Sequence, residues 1–218
     1  MVAQPPTAPL SSEEEYFISQ GITILQDPST VSFLLASRLG TEGSRHGDSL
    51  YISQDRLFRR LLNTETAIPH LIGFYRNPFS GAIPTFPDLP FIVNSMTFVF
   101  DVSKDLHGFN GTVHGGIIGA LMDEAMGNLL FQNDLLNREA KANGSIPGDS
   151  PGFSAAGTAD MEVKYLRPIP TPNIILATAT LIRKEDRKMS MRVVVANKDG
   201  KEYAIGKGTF VTLKKAKM

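Results

Sequence analysis

The stretch that decides the fold runs from Asn110 to Gly127 and reads NGTVHGGIIGALMDEAMG. From His114 onward its apolar residues recur every three to four positions, so the sequence predicts an amphipathic helix over 114–133. Glycine destabilises a helix interior by roughly 1 kcal/mol relative to alanine, so repeated glycines indicate close approach by another backbone or a ligand. The small residues that share one side of this helix with Asp123 are Gly116, Gly119, Ala120 and Gly127.

This helix carries two candidate catalytic groups. At its start, His114-Gly115-Gly116 leaves backbone N–H groups free at the positive end of the helix dipole, which suits an oxyanion. Asp123 is a carboxylate among small residues; from the residues alone, a purely structural role for it and for the glycines stays open. Gly115 and Asp123 lie about 12 Å apart along one helix, so both can act on one carbonyl only if a second subunit brings one of them.

The sequence on either side of the helix is typical of β-strands. The run SMTFVFDV (95–102) precedes it, and four β-branched or aromatic runs follow, at 157–169, 173–185, 190–198 and 202–214. One strand, one long apolar helix and four antiparallel strands predict an α+β fold in which a five-stranded sheet wraps around the helix. We assign residues 91–218 to this domain.

Residues 1–90 differ in character and are predicted to form a leader and a helical extension. We expect a disordered leader over 1–10 and a Pro- and Gly-rich linker over 77–90. Ser11, followed by three glutamates within four residues, predicts a helix start. Further helices are predicted where apolar residues recur at helical spacing, in 31–39 and 49–63.

Composition excludes several classes of protein. The 22 basic and 22 acidic residues balance, which disfavours a nucleic-acid binder or a polybasic membrane-surface protein. There is no cysteine, which excludes disulfides and thiol nucleophiles and favours the cytoplasm. The C-terminal tripeptide Ala216-Lys217-Met218 resembles a relaxed peroxisomal address, so the peroxisome is the alternative compartment.

The four histidines lack the spacing of a metal site, so no metal is expected. His46 and His70 are expected to be solvated or to lie on a helix surface, and His107 to be an ordinary loop residue. Neither a GxxxxGK phosphate loop nor a GxSxG nucleophile elbow occurs in the chain, which disfavours a P-loop enzyme and a serine α/β-hydrolase.

The pattern Asn110-Gly-Thr-Val-His114-Gly115-Gly116, followed by six residues and Asp123, resembles the hotdog-fold acyl-CoA thioesterases. It looks most like the branch that acts in phenylacetate degradation. The resemblance covers about residues 90–214, and the predicted order of strand, helix and four strands agrees with it. The preceding segment is similar in general type to helical extensions of fungal relatives.

The resemblance implies a role for each matching residue. Gly115 would donate its backbone N–H to the thioester carbonyl, and Asn110 would help to place or polarise the thioester. Asp123 would activate water or attack directly, with the Thr158 hydroxyl assisting the water where the family often has serine. His114 would hold the helix start. The implied assembly is a homodimer or a dimer of dimers with composite sites.

Other polar residues are weaker candidates. Glu124 points about 100° away from Asp123 and is the alternative base, since some hotdog enzymes use Glu on this helix. A basic hairpin around 183–188 is either a solvated turn or a binding site for the phosphates of coenzyme A. The residues predicted to bind substrate are Gly116, Glu124, Arg167, Arg187 and Lys188.

The predicted function is hydrolysis of an acyl-CoA, or a related acyl thioester, without a metal or redox cofactor; coenzyme A enters only as part of the substrate. Three alternatives remain. An enoyl-thioester hydratase is disfavoured because its pattern, an Asp and a His a few residues apart with an Asn between them, is absent. A binding protein without turnover and a hydrolase acting on a carrier-protein-bound acyl chain are the other two.

Overall fold

A seven-stranded antiparallel sheet and one long helix make up most of the chain that the structure describes. The structure is a computed structural model, and it describes residues 10–33, 57–76, 93–142, 144 and 156–213. The predicted leader up to residue 9, the linker over 77–90, His46 and the C-terminal tripeptide lie outside these ranges. No helix within the described ranges combines the length and the apolar character that a membrane span requires.

The elements follow in a simple order. Helix α1 (Ser12–Ser19) comes first, then strands β1 (Thr30–Phe33), β2 (Leu71–Arg76) and β3 (Ser95–Val102). The long helix α2 (Gly115–Ala142) follows. Strands β4 (Ala156–Tyr165), β5 (Asn173–Glu185), β6 (Lys188–Ala196) and β7 (Glu202–Thr212) complete the described chain.

All five predicted strands are present, in the antiparallel order β3-β5-β6-β7-β4. The prediction of a five-stranded sheet is nevertheless wrong, because β1 and β2 add two strands at the β3 edge. The run LIGFYR (71–76) is apolar on both faces, and five of its six residues are buried, so it shows no two-residue alternation from which a strand could be predicted.

The prediction of a helical N-terminal extension is correct only in part. Ser11 caps α1 with a capping box to Glu14, as the sequence predicts. The described part of 31–39 is a strand, because Val31 to Phe33 pair with β2. The described part of 49–63 contains a single π-helical turn at Leu57–Leu61. Pairing with a neighbouring strand outweighs weak helical periodicity here.

Helix α2 begins one residue later than predicted and extends nine residues further. Asn133, the last residue of the predicted helix, and Asn137 in the extension are buried, which breaks the apolar pattern on which the prediction relied. Asn133 is fully buried and bonds to both backbone groups of Val93: its Oδ1 accepts from the N–H at 2.9 Å and its Nδ2 donates to the C=O at 2.8 Å. These two hydrogen bonds connect the C-terminal half of α2 to the residues just before β3.

Two apolar layers cover the two faces of the sheet. The inner face packs against α2, with Met122 and Met126 seated over the glycines of β7: a Cβ on Gly206 or Gly208 would lie 3.0 Å or 2.9 Å from their sulfur atoms. The outer face is covered by the N-terminal segment, where Phe17 packs in one cluster with β2 and β3 side chains. Two methionines of α2 thus lie directly over β7, the strand next to edge strand β4.

The sequence predicts a solvated or helix-surface His70, but in the structure this side chain has specific partners. Its ring stacks on Tyr16 with centroids 3.7 Å apart, and its Nδ1 lies 2.7 Å from a carboxylate oxygen of Glu13. Tyr16 in turn donates to Asp101 on β3 at 2.6 Å, and burial together with this carboxylate raises the pKa of the tyrosine. These contacts attach α1 to the outer face of the sheet.

Candidate active site

A hydroxyl and a carboxylate meet between α2 and β4. Thr158 donates from Oγ1 to Asp123 Oδ1 over 2.6 Å. Thr158 stands at a β-bulge, because Thr158 and Asp160 pair with consecutive residues of β7 and Ala159 is the extra residue between them. Such a bulge re-aims a side chain, and here it leaves Thr158 on the inner face, toward the helix. Asp123 is half-buried and Thr158 is exposed.

The start of α2 offers one free amide. His114 accepts the N–H of Gly116 on its Nδ1 at 2.9 Å, and its own carbonyl accepts from Ile117 and Ile118. No acceptor for the Gly115 N–H is found within the described part of the chain. Because the Gly116 N–H already donates to the His114 ring, the Gly115 N–H is the group left to bind an oxyanion.

Tyr165 is a member of the site that the sequence analysis missed. It ends β4 and donates its hydroxyl to the Gly115 carbonyl at 2.9 Å. Its ring packs against the same glycine: a Cβ built on Gly115 would lie 3.5 Å from the Tyr165 ring. Alternation along β4 could have indicated it, since inner-face positions 161, 163 and 165 face the helix.

The contacts between α2 and β4 are antiparallel: later residues of the helix meet earlier residues of the strand. Asp123 meets Thr158, a Cβ on Gly119 would meet Met161 at 3.5 Å, and Gly115 meets Tyr165. The carboxylate and the free amide therefore lie at the two ends of one contact line, about 12 Å apart. One chain does not bring them to a single carbonyl carbon.

The glycines of α2 are only partly explained by packing within the chain. Gly119 faces Met161, and Gly116 faces the ring of its own neighbour His114. Among the described residues, a Cβ on Gly127 would meet nothing within 4 Å. The strip of Gly116, Ala120, Asp123 and Gly127 is exposed or half-buried throughout, so packing among the described residues does not account for its small size.

Asn110 lies near the helix start but outside both contacts. It is exposed in a turn that Gly111 closes with a φ of 76°. Isolated bridges join Thr112 to Pro170 and His107 to Val113, which fixes this loop beside the first turn of α2. The structure does not bring Asn110 into hydrogen-bonding contact with Gly115 or Asp123 within the described residues.

The remaining predicted residues are separated from Asp123 or occupied elsewhere. Glu124 accepts from Asn128 Nδ2 at 2.8 Å, whereas Thr158 bonds to Asp123. The guanidinium of Arg167 binds the Glu202 carbonyl, and that of Arg187 binds the Thr212 carbonyl. Lys188 is exposed at the start of β6.

Within the described ranges, no three His, Asp or Glu side chains converge as metal ligands. The described residues at the site offer a carboxylate base, a hydroxyl, a backbone N–H and a helix dipole.

Comparison with known proteins places this geometry in context. A model of the thioesterase superfamily matches residues 110–204, which contain the helix start, Asp123 and Thr158. Verlamelin biosynthesis protein B of a Lecanicillium species is 30% identical over 170 residues, 73% of each chain. Among solved structures, the E. coli PaaI protein from the phenylacetic acid degradation operon is 16% identical over 55% of this chain and 73% of its own, with a TM-score of 0.44. Zebra fish thioesterase superfamily member 2 is 19% identical over 55% and 75%, with a TM-score of 0.45.

Proposed function

We propose that this chain, which belongs to the hotdog-fold thioesterase superfamily, hydrolyses an acyl-CoA to the free acid and coenzyme A. The observation that carries the proposal is the hydrogen bond from Thr158 to Asp123 at a strip of small residues. It fixes one carboxylate oxygen and leaves the other available to take a proton from water. The scheme needs no metal or redox cofactor.

The proposed reaction has two steps. Water adds to the thioester carbonyl carbon as Asp123 accepts its proton, and the oxyanion is bound by the Gly115 N–H at the positive end of α2. The tetrahedral intermediate then collapses, the carbon–sulfur bond breaks, and Asp123 returns the proton to the thiolate. In direct attack, by contrast, a carboxylate oxygen of Asp123 bonds to the carbonyl carbon and the carbon–sulfur bond breaks to release the thiolate. Water then hydrolyses the acyl-aspartyl anhydride and supplies the proton that the thiolate takes up.

Single turnover in ¹⁸O-labelled water distinguishes the two routes. Activated water delivers labelled oxygen to the product acid in the first turnover. Direct attack first delivers an unlabelled oxygen of Asp123 to the acid if water then attacks the aspartyl side of the anhydride. Mass analysis of Asp123 after that turnover is the decisive measurement: a labelled carboxylate identifies the covalent route, whereas label in the acid alone is given both by activated water and by attack of water on the acyl side of the anhydride.

We propose a dimer with two composite sites. Asp123 and Thr158 of one subunit would face Gly115 and Asn110 of the other, since one helix holds the carboxylate and the amide about 12 Å apart. His114 would serve by holding the Gly116 N–H, so that the first turn presents the Gly115 N–H alone. Gly116 would contribute space for the substrate rather than a hydrogen bond.

Lys188 is the proposed contact for the phosphates of coenzyme A. It pairs with Val211, which pairs with Gly157, so it lies two strands from the residue before Thr158, about 10 Å away. Arg167 and Arg187 are proposed to support the site by holding Glu202 and Thr212, because their guanidinium groups already bind those carbonyls.

A second substrate class has one observation in its favour. The curated relative is named as a biosynthesis protein, and a biosynthetic hydrolase could act on an acyl chain attached to a carrier protein. The chemistry at Asp123 would be the same, and only the thiol would differ.

The proposal is tested by a thiol-release assay over acyl-CoA substrates from acetyl to palmitoyl and over aryl-CoA. A parallel assay uses acyl-pantetheine carried by an acyl carrier protein. We expect turnover of at least one acyl-CoA that disappears in Asp123→Asn. Turnover of the carrier-bound chain alone would support the second substrate class. Binding of acyl-CoA without turnover of any thioester would identify a binding protein and overturn the proposal.

A further inference from the structure

The turn before α2 contains an asparagine followed by a glycine, the pair in which an asparagine side chain reacts most readily with its own backbone. Asn110 is exposed, and its side-chain amide has no hydrogen bond within the described residues. Gly111 follows with a φ of 76°, and a glycine has no Cβ to shield its backbone nitrogen. The side-chain carbonyl carbon of Asn110 is therefore open to attack by the nitrogen of the next peptide.

That backbone nitrogen is also free of hydrogen bonds. The turn is closed by the Thr112 N–H, which donates to the Phe109 carbonyl at 2.9 Å, and Gly111 joins the neighbouring segment through its carbonyl, which accepts from Thr171 at 3.1 Å. No acceptor for the Gly111 N–H is found in the described part of the chain. The bonds that hold the turn in place thus leave both reacting atoms unconstrained.

A second Asn-Gly pair, Asn143-Gly144, separates the effect of structure from that of sequence. The Gly144 N–H donates to the Lys141 carbonyl at 3.2 Å. This nitrogen has to give up its hydrogen bond before it can react, whereas the Gly111 nitrogen has none to lose. The two pairs should therefore react at different rates in the folded protein.

We infer that Asn110 is a site of spontaneous deamidation in the folded protein, that it reacts ahead of Asn143, and that its conversion inactivates the neighbouring site. The last part rests on the proposed function, in which Asn110 and Gly115 face the substrate. The modification needs no enzyme, and water is the co-reactant.

The reaction is complete with water alone. The Gly111 nitrogen loses its proton to solvent and bonds to Cγ of Asn110, the Cγ–Nδ2 bond breaks, and ammonia leaves with a proton from solvent. Water then opens the resulting succinimide ring. Addition of water at Cγ gives aspartate, and addition at the backbone carbonyl carbon gives isoaspartate, in which the main chain passes through the side chain.

Either product places a new carboxylate beside the first turn of α2, where the bridges of Thr112 and Val113 fix the loop. In the proposed reaction, negative charge develops on the thioester oxygen at the Gly115 N–H, and a nearby carboxylate repels that charge. The amide donor of Asn110 is lost as well. Loss of one oxyanion donor typically lowers kcat about 10²–10³-fold, so a converted subunit should be nearly inactive.

The test is incubation of the folded full chain in warm, mildly alkaline buffer over several days. Peptide mass spectrometry with fragmentation measures the two sites separately, because replacement of an NH₂ group by an OH group changes the mass. We expect Asn110 to convert several-fold faster than Asn143. In urea, where both pairs lose their structure, the two rates should become similar. Equal rates in the folded chain, or a difference that persists in urea, would overturn the inference.

Gly111→Ala is the matched control variant. Its Cβ meets nothing within 4 Å among the described residues, yet it shields the reacting nitrogen. Conversion of Asn110 should therefore be several-fold slower in this variant, and circular dichroism checks that the strained positive φ is tolerated. Conversion as fast as in the wild type would contradict attack by the residue 111 nitrogen.

Thiol release measured on the same samples separates this inference from the proposed function. The rate should fall in step with the converted fraction of Asn110, toward the rate of freshly prepared Asn110→Asp. Conversion without loss of rate would overturn the inactivation and leave thioester hydrolysis standing. Conversion in a protein that hydrolyses no thioester would support the modification site and contradict the proposed function.

Discussion

Thr158 and Asp123 are 35 residues apart in the chain and are joined by a hydrogen bond of 2.6 Å between the threonine hydroxyl and the carboxylate. The bond depends on a bulge in β4 and on the position of α2 over β7. There, two methionines of the helix pack directly against Gly206 and Gly208. Through this bond, the packing of the helix on the sheet determines how the Asp123 carboxylate is oriented on the small-residue strip.

Removing the Thr158 hydroxyl should slow hydrolysis without unfolding the protein. Thr158→Val keeps the branched shape and loses the hydrogen bond to Asp123, and bonds to charged groups contribute about 1.5–3 kcal/mol. We therefore expect kcat to fall roughly ten- to a hundredfold. Thr158→Ser should restore most of the rate, and equal kcat values for the valine and serine variants would show that the hydroxyl is not used.

His114 should stabilise the start of α2 through its ring. Loss of a capping acceptor typically destabilises a protein by about 1 kcal/mol, so His114→Ala should lower the free energy of unfolding by about that amount in urea. His114→Asn, which supplies another acceptor for the Gly116 N–H, should be less affected. The ring has no capping function if the alanine variant is as stable as the wild type.

The helix α2 and five strands could be predicted because their periodicity is strong. β2 could not, since LIGFYR is buried on both faces, and the last turns of α2 could not, since Asn133 stands where a core residue was expected. In the site, Asp123 and Gly115 were recognisable from their place on the helix. Tyr165 and the carbonyl contacts of Arg167 and Arg187 were not, because they depend on how β4 and β7 pack.

Glu14 should make the stability of the fold depend on acid pH. Burial raises the pKa of this carboxyl, but hydrogen bonds from the Ser32 hydroxyl and the Ser11 backbone outweigh burial, and the pKa lies below its ordinary value of 4.5. A lowered folded-state pKa stabilises the fold above the unfolded-state value, and this contribution is lost as the pH falls through the folded-state value.

Glu14→Gln keeps the capping box but removes the charge. The variant should therefore be less stable than the wild type at pH 7, with the difference shrinking below about pH 4.5. Urea denaturation at several pH values measures the difference. A gap that stays constant from pH 7 to pH 3 would show that the charge of Glu14 does not stabilise the fold.

Complementation should reveal composite sites. Asn110→Ala and Asp123→Ala should each be poorly active, and co-refolding them in equal amounts makes half of the dimers mixed. Each mixed dimer has one intact site if the two residues come from different subunits, so activity should approach about one quarter of the wild type. Activity equal to the mean of the two parents, with subunit exchange confirmed by mass spectrometry, would place both residues in one subunit's site.

The most direct test of the account is the rate of thiol release by Asp123→Asn compared with Glu124→Gln, two neighbouring carboxyls changed in the same way. Loss of a general base lowers the rate typically about 10²–10⁴-fold, so Asp123→Asn should show that loss while still folding and binding acyl-CoA. Glu124→Gln, whose carboxylate is bound to Asn128 rather than to Thr158, should keep a near-native rate. Near-native turnover in Asp123→Asn, or the larger loss in Glu124→Gln, would contradict the assignment of Asp123 as the base.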